Sequence, residues 1–231
     1  MSAAPALQIR LLGDPALLGA DGSVRALERR AAGLLALVAL EPGVTRARAA
    51  TLLWPESDNA RQALRQQLSR FRKSYGVEVV VGDKALHLAG SIATDLAQEP
   101  APGATAGALL AGLRFDDCEE FDAWLAQQRA RRRQQMAGQI RRWLAEAEAQ
   151  GDLEAATRLA EQLLLADNDS EANHRTLMRL HLLRGDVSVA QAVYERLVDR
   201  LRRDYGARPS AETEALACAM RAAQAAPAVT A

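Results

Sequence analysis

No stretch of about 18 consecutive apolar residues occurs in this chain of 231 residues, so no membrane-spanning helix can form. Its first residues, "MSAAPALQIR", lack the charged segment and apolar stretch of a secretory signal, and none is expected. Cysteine is scarce. Cys118 and Cys218 stand 100 residues apart without a CxxC partner, which reads as reduced structural thiols of a cytoplasmic protein. Aromatic residues make up only 4% of the chain, whereas alanine, leucine and arginine abound, a balance that favours helices over strands. The sequence contains no GxxxxGK[ST], no GxSxG and no HExxH, and no paired catalytic group stands out. Enzymatic activity is not expected, nor is a cofactor or a metal.

The formal net charge is zero, but the charges are unevenly placed. Residues 1–90 hold 12 Lys and Arg against 8 Asp and Glu, while residues 91–231 hold 17 against 21. Halves of opposite sign point to one half that faces a polyanion.

Residues 1–97 read as mixed structure. "LQIRLLG" (7–13) and "SVRAL" (23–27) are expected strands, joined across the turn "GADG" (19–22). A helix is predicted over 29–40, stopped by "EPG" at 41–43. Thr45 is the expected N-cap of a short second helix over 46–54, which Pro55 ends. A third helix, capped by Ser57 or Asp58, runs to Gly76. A hairpin over 77–89 follows, with "GDK" at 82–84 as its turn. Strands, three helices and a hairpin form the order of an α+β winged helix-turn-helix domain, expected to occupy 1–97. "AQEPAPGAT" (97–105) has Pro and Gly without periodicity, which places a linker at 98–103.

The remainder is helical and contains a repeat. "GDLEAATRLAEQLLL" starts at Gly151 and "GDVSVAQAVYERLVD" at Gly185. Gly, Asp, Ala156/Ala190 and Leu163/Leu197 recur at an offset of 34 residues, the period of tetratricopeptide (TPR) helix pairs. An all-α TPR-like bundle is therefore expected over 104–223, able to fold alone, with a disordered tail at 224–231.

The segment "DNARQALRQQLSRFRKSYG" (58–76) is the most informative. On a 3.6-residue wheel, Leu64, Leu68, Phe71 and Tyr75 form one apolar stripe. Gln62, Gln66, Ser69, Arg70 and Lys73 lie opposite, with Arg61, Arg65 and Arg72 on one flank and Ala63, Gln67 and Ser74 on the other. A solvated basic face is the plain reading, but such faces interleave acids at i,i+4, and none occurs between Asn59 and Val77. The outward residues also carry the donor and acceptor geometry that reads base edges and phosphates. A recognition helix is the expectation. Gln62, Gln66, Ser69 and Arg70 would read bases, Arg70 forking onto guanine and Gln66 pairing with adenine, while Arg61, Arg65, Arg72 and Lys73 would touch phosphates.

The strings "GLLALVALEPGVTRARAATLLWPESD", "LRQQLSRFRK" and the hairpin after them resemble the OmpR-type winged-helix domain, in the version found in SARP-type (AfsR/DnrI-like) regulators. "FDDCEEFDAWLAQQRARRR", the GD repeats and "RLRRDYGARPSAETEAL" are similar to the bacterial transcriptional activator domain that follows it there. The resemblance spans about residues 7–223. It implies a cytoplasmic DNA-binding regulator, usually an activator, that binds tandem direct-repeat sites in double-stranded DNA and touches RNA polymerase. The helical half is expected to serve self-association or contact with RNA polymerase or another partner. By the same resemblance, Gln66, Ser69, Arg70 and Arg72 match recognition positions. Thr45, Arg46 and Trp54 match positions where the second helix and its following loop approach phosphates, and Lys84 and His87 fall in the wing. Neither a receiver domain nor an ATPase module is present in these residues, so neither phospho-aspartate signalling nor nucleotide gating is expected.

Other features admit plainer readings. Trp54 is a core or helix-end residue as readily as a phosphate contact. His174 and His181, at i,i+7, have no third ligand nearby. The acids of "DDCEEFD" (116–122) suit a helix start, and "RARRR" (129–133) suits a solvated helix face. The competing function is a TPR-type protein scaffold whose winged helix no longer binds DNA. Only a retained Gln/Ser/Arg face distinguishes the two.

Overall fold

The computed structural model describes residues 7–75, 78–98, 101 and 107–225. The chain divides into two compact units at Arg131/Arg132.

In the first unit, strands β1 (Leu7–Arg10), β2 (Ala16–Gly19) and β3 (Val24–Ala26) precede helix α1 (Arg29–Leu40). The "GADG" turn joins β2 to β3, not β1 to β3, so the expectation of one strand over 7–13 is corrected to two short strands separated by Gly13 at φ 78. Strands β1 and β2 pair antiparallel, and Ile9, Leu11 and Leu17 point inward. Helix α1 is apolar on nearly every side, with eight consecutive buried residues from Ala31 to Val38, as befits a helix at the centre of a core. Strand β4 (Val44–Thr45), helices α2 (Arg46–Leu53) and α3 (Ala60–Tyr75), and strands β5 (Val80–Val81) and β6 (Ala85–Leu88) follow. Strand β7 (Ile92–Thr94) then pairs parallel with β1, giving the sheet order β3-β2-β1-β7. A second sheet, β4-β6-β5, is the wing.

The expected linker at 98–103 lies mostly outside the described residues, but the boundary there is not where the chain divides. Residues 108–111 return to β1: the Gly13 N–H donates to Ala108 O, the Leu110 N–H to Leu11 O and the Ala111 N–H to Gly13 O. Leu109, Leu110, Phe115, Cys118, Phe121, Trp124 and Leu125 then enter the same core as α1 and α2. Gly33 makes room for them, since a side chain there would stand 3.0–3.1 Å from Leu53, Phe115 and Phe121. Asp117 forms ion pairs with Arg29 and Arg30 at 2.5 and 2.7 Å. Arg129 is no solvated residue: its guanidinium donates to the carbonyls of Leu109 and Leu110 at 2.8 and 2.7 Å. Pro and Gly mark a break in periodicity; they carry no information about where the chain goes next.

The Arg29 hydrogen bond, with the Arg30 charge beside it, holds the Asp117 carboxyl down from 3.8 to about 2. A depressed carboxyl stabilises the fold above its unfolded value and stops doing so as pH falls through the folded one. We therefore expect Asp117→Asn to cost on the order of 1 kcal/mol at pH 7, the half-exposed pair being screened by water. The difference from wild type should vanish between about pH 4 and pH 2. Urea unfolding at both ends of that range checks it, and an equal difference at both would refute the assignment.

The second unit holds the rest of α4 (Glu119–Ala149) with α5 (Leu153–Ala166), α6 (Glu171–Leu183), α7 (Val187–Arg200), a π-turn (Leu201–Tyr205) and α8 (Ala211–Ala225). Helix α8 extends two residues into the expected tail, whose remaining positions, 226–231, lie outside the described residues. The 34-residue repeat is visible in the backbone. Gly151 and Gly185 have φ 74 and 83, and the N–H groups of Asp152 and Asp186 donate to Ala147 O and His181 O at 2.9 and 2.8 Å. Ala156 and Ala190 are wholly buried at the equivalent helix contacts. The segment "YGARPSAETEAL" is a lock between α8 and α6. Glu171 accepts from the Ser210 N–H, the Ser210 hydroxyl and the Thr213 hydroxyl, and Arg175 donates to both hydroxyls. His174 is buried with Nδ1 3.1 Å from Ser170 O, and burial lowers its pKa.

Candidate nucleic-acid interface

Helix α3 starts at Ala60 because Asn59 caps it. The Asn59 side-chain oxygen accepts the Gln62 N–H at 3.1 Å, and Asn59 O accepts the Ala63 N–H. Ser57 supports the preceding turn by accepting the Asn59 N–H, so neither Ser57 nor Asp58 is the cap. Leu64 and Phe71 are buried at 1% and 3% exposure, with Leu68 packed beside them. The side chain of Tyr75, placed on the same stripe, lies outside the described residues. Gln67, read from sequence as a flank residue, is buried at 7% exposure and widens the inward face by one position.

The opposite arc is open to solvent. Arg61, Gln62, Arg65, Gln66, Ser69, Arg70, Arg72 and Lys73 are all exposed, and no acid stands among them. The Arg65 guanidinium donates to the Gln62 side-chain oxygen at 2.6 Å, which joins two residues of the arc. Arg72 forms an ion pair with Glu78, so one cation of the arc is engaged within the unit.

The second helix and the wing supply the remaining positions. Thr45 is exposed and caps α2, its hydroxyl accepting the Arg48 N–H at 3.2 Å. The Arg46 guanidinium donates to Gly82 O at 2.8 Å, and the Arg46 N–H donates to Lys84 O, which ties the start of α2 to the wing turn. Gly82 adopts φ 113, and a side chain there would fall 1.9 Å from Ala85 O, so the hairpin requires glycine. Lys84 and His87 are exposed on the wing. Trp54 packs against the core with the Arg30 guanidinium 5.9 Å from its ring centroid, in line with the core alternative. Gln62, Gln66, Ser69 and Arg70 thus lie together on the exposed arc of α3, and Arg46 ties the start of α2 to the wing turn that carries Lys84.

Sequence reasoning missed Glu41. It pairs with Arg48 and accepts the Trp124 indole N–H at 2.6 Å, both of which lower its pKa. No local pattern signals such a contact. Among the described residues, no group of three or more His, Cys, Asp or Glu is arranged to hold a metal ion.

Comparison with known proteins agrees with this arrangement. A sequence model of the bacterial transcriptional activator domain matches residues 84–221. No curated protein matches the chain. Among solved structures, Mycobacterium tuberculosis EmbR in complex with a low-affinity phosphopeptide superposes with a TM-score of 0.62 at 19% identity, over 94% of this chain and 65% of that one. The chain thus spans just under two thirds of that protein, and at this identity the likeness is one of fold. The chain belongs to the bacterial transcriptional activator domain family, with a winged helix-turn-helix unit followed by a helical bundle.

Proposed function

We propose that this regulator binds duplex DNA sequence-specifically, with α3 in the major groove. Gln62, Gln66, Ser69 and Arg70 face base edges, and Arg61, Arg65, Arg72 and Lys73 face phosphates. Thr45 and Arg46 at the start of α2, with Lys84 and His87 on the wing, lie along the flanking backbone. The observation that carries this reading is the exposed arc of α3, eight residues without an acid. A protein scaffold has no physical reason to keep it.

The helical unit then serves self-association or contact with RNA polymerase. The operator is proposed to be a direct repeat. In the first unit, Val24 is the one large apolar residue exposed among those described, so there is no apolar seam for a two-fold dimer to enforce inverted half-sites. Same-orientation winged units would follow one groove about one helical turn apart, ~10–11 bp.

Sorting the arginines tests the geometry. Arg70→Ala is expected to cost about 1–3 kcal/mol on the preferred site and to relax base choice at one position. Arg61→Ala should weaken every sequence alike. Selection of bound fragments followed by titration measures both, and an Arg70 that behaves like Arg61 would mean the groove face is misassigned by a rotation.

A further inference from the structure

Arg25 lies on no DNA-facing surface named above, yet it reaches the recognition helix. It belongs to β3, the edge strand of the four-stranded sheet, and pairs across the strands with Leu17. Directly opposed residues of an antiparallel pair share one face of the sheet. Since Leu17 is buried at 1% exposure, Arg25 starts from the core-facing side and extends past the sheet edge. Its Nη1 donates to Ser74 O at 2.7 Å, 49 residues away in the chain.

Ser74 is the penultimate residue of α3, and the last carbonyls of a helix have no intrahelical donor. A guanidinium there satisfies one of them and places positive charge at the negative end of the helix dipole. Phe71 anchors the same turn in the core, and Arg72 ties it to Glu78 ahead of the wing. Ser69 and Arg70 sit one turn upstream, so the stability of this end bears on where they point.

We propose that Arg25 is a positioning residue for DNA reading. It holds the C-terminal turn of α3 from the sheet side without touching the nucleic acid. This rests on the DNA-binding reading above. Loss of the contact frays the last turn and lets Arg70 drift, which lowers discrimination between sequences while leaving phosphate attraction in place.

The test compares full-length wild type with Arg25→Ala in two measurements. The first is hydrogen exchange of the amides in the last turn of α3, expected to quicken roughly three- to tenfold, the size of a lost charge-assisted cap. The second is the ratio of affinities for a duplex selected by the wild-type protein from a random pool and for the pool itself. That ratio should fall by a similar factor, with the salt dependence of pool binding unchanged. A slope reduced by about one would make Arg25 a phosphate contact and overturn the proposal. So would unchanged exchange, or an unchanged ratio in a wild-type protein that binds. Failure of the wild type itself to bind duplex DNA overturns the DNA reading, and this inference with it.

Discussion

A fragment ending at Gln98 will not fold cooperatively, whereas one ending at Arg131 will. Residues 1–98 include all seven strands and the three helices of the winged-helix pattern, yet they lack a large part of its core. Phe115 and Phe121 are wholly buried, their rings packed at a tilt of 59° with centroids 4.5 Å apart, and fill the groove that Gly33 leaves on α1. Truncating one buried Phe costs about 3–5 kcal/mol. The shorter fragment would lose both, with Leu109, Leu110 and Leu125 besides. At about 2–5 kcal/mol for each buried Leu as well, the combined loss matches or exceeds the ~5–15 kcal/mol by which a whole domain is stable. Arg29 and Arg30 would also lose Asp117. Far-ultraviolet circular dichroism and thermal melting of the two fragments decide the matter. A sharp melt from the 98-residue fragment would show that the returning segment only decorates a self-sufficient domain. Residues 132–225 carry a separate core that includes Ile140, Leu144, Leu159, Leu177, Met178 and Met220, and should fold alone as an all-helical domain.

Duplex binding should collapse with added salt. Arg61, Arg65, Lys73 and Lys84 are exposed, and Arg46 stands beside the wing turn. About five neutralised phosphates per winged unit give a slope of log K against log[salt] near −4 to −5. Between ~50 and ~200 mM salt that is roughly a 500-fold loss, more than any single side chain here is expected to contribute. A neutral scaffold surface would show no such dependence. Fluorescence anisotropy with a labelled duplex across that range gives the slope directly, and a flat line would end the electrostatic account. A slope near −3 would mean that part of the arc stays engaged within the protein, with the Arg72–Glu78 pair the first place to look.

What could be read from the chain alone was whatever depends on neighbours in sequence. The stripe of Leu64, Leu68 and Phe71 and the polar arc opposite follow from a 3.6-residue period. The Thr45 cap and the two Gly-Asp helix starts follow from local backbone chemistry and recur in the structure at the expected positions. With them came the order of elements, and hence the fold class. Local signals also blur when they compete. Ser57, Asp58 and Asn59 are three adjacent cap formers, and only the way the turn packs selects Asn59. The four-residue strand β2 is too short to show alternation. Gln67 reads as polar wherever it stands, and burial is set by what packs against it. The contacts that define the first unit were beyond reach for a stronger reason. Asp117 meets Arg29 across 88 residues, Trp124 meets Glu41 across 83, and Arg25 meets Ser74 across 49. No period or motif in a single sequence encodes such pairs, because they come into being only when separate apolar faces are buried together. The tertiary structure therefore decided where the unit ends and what holds the C-terminal turn of α3, while the sequence had already settled which face that helix shows.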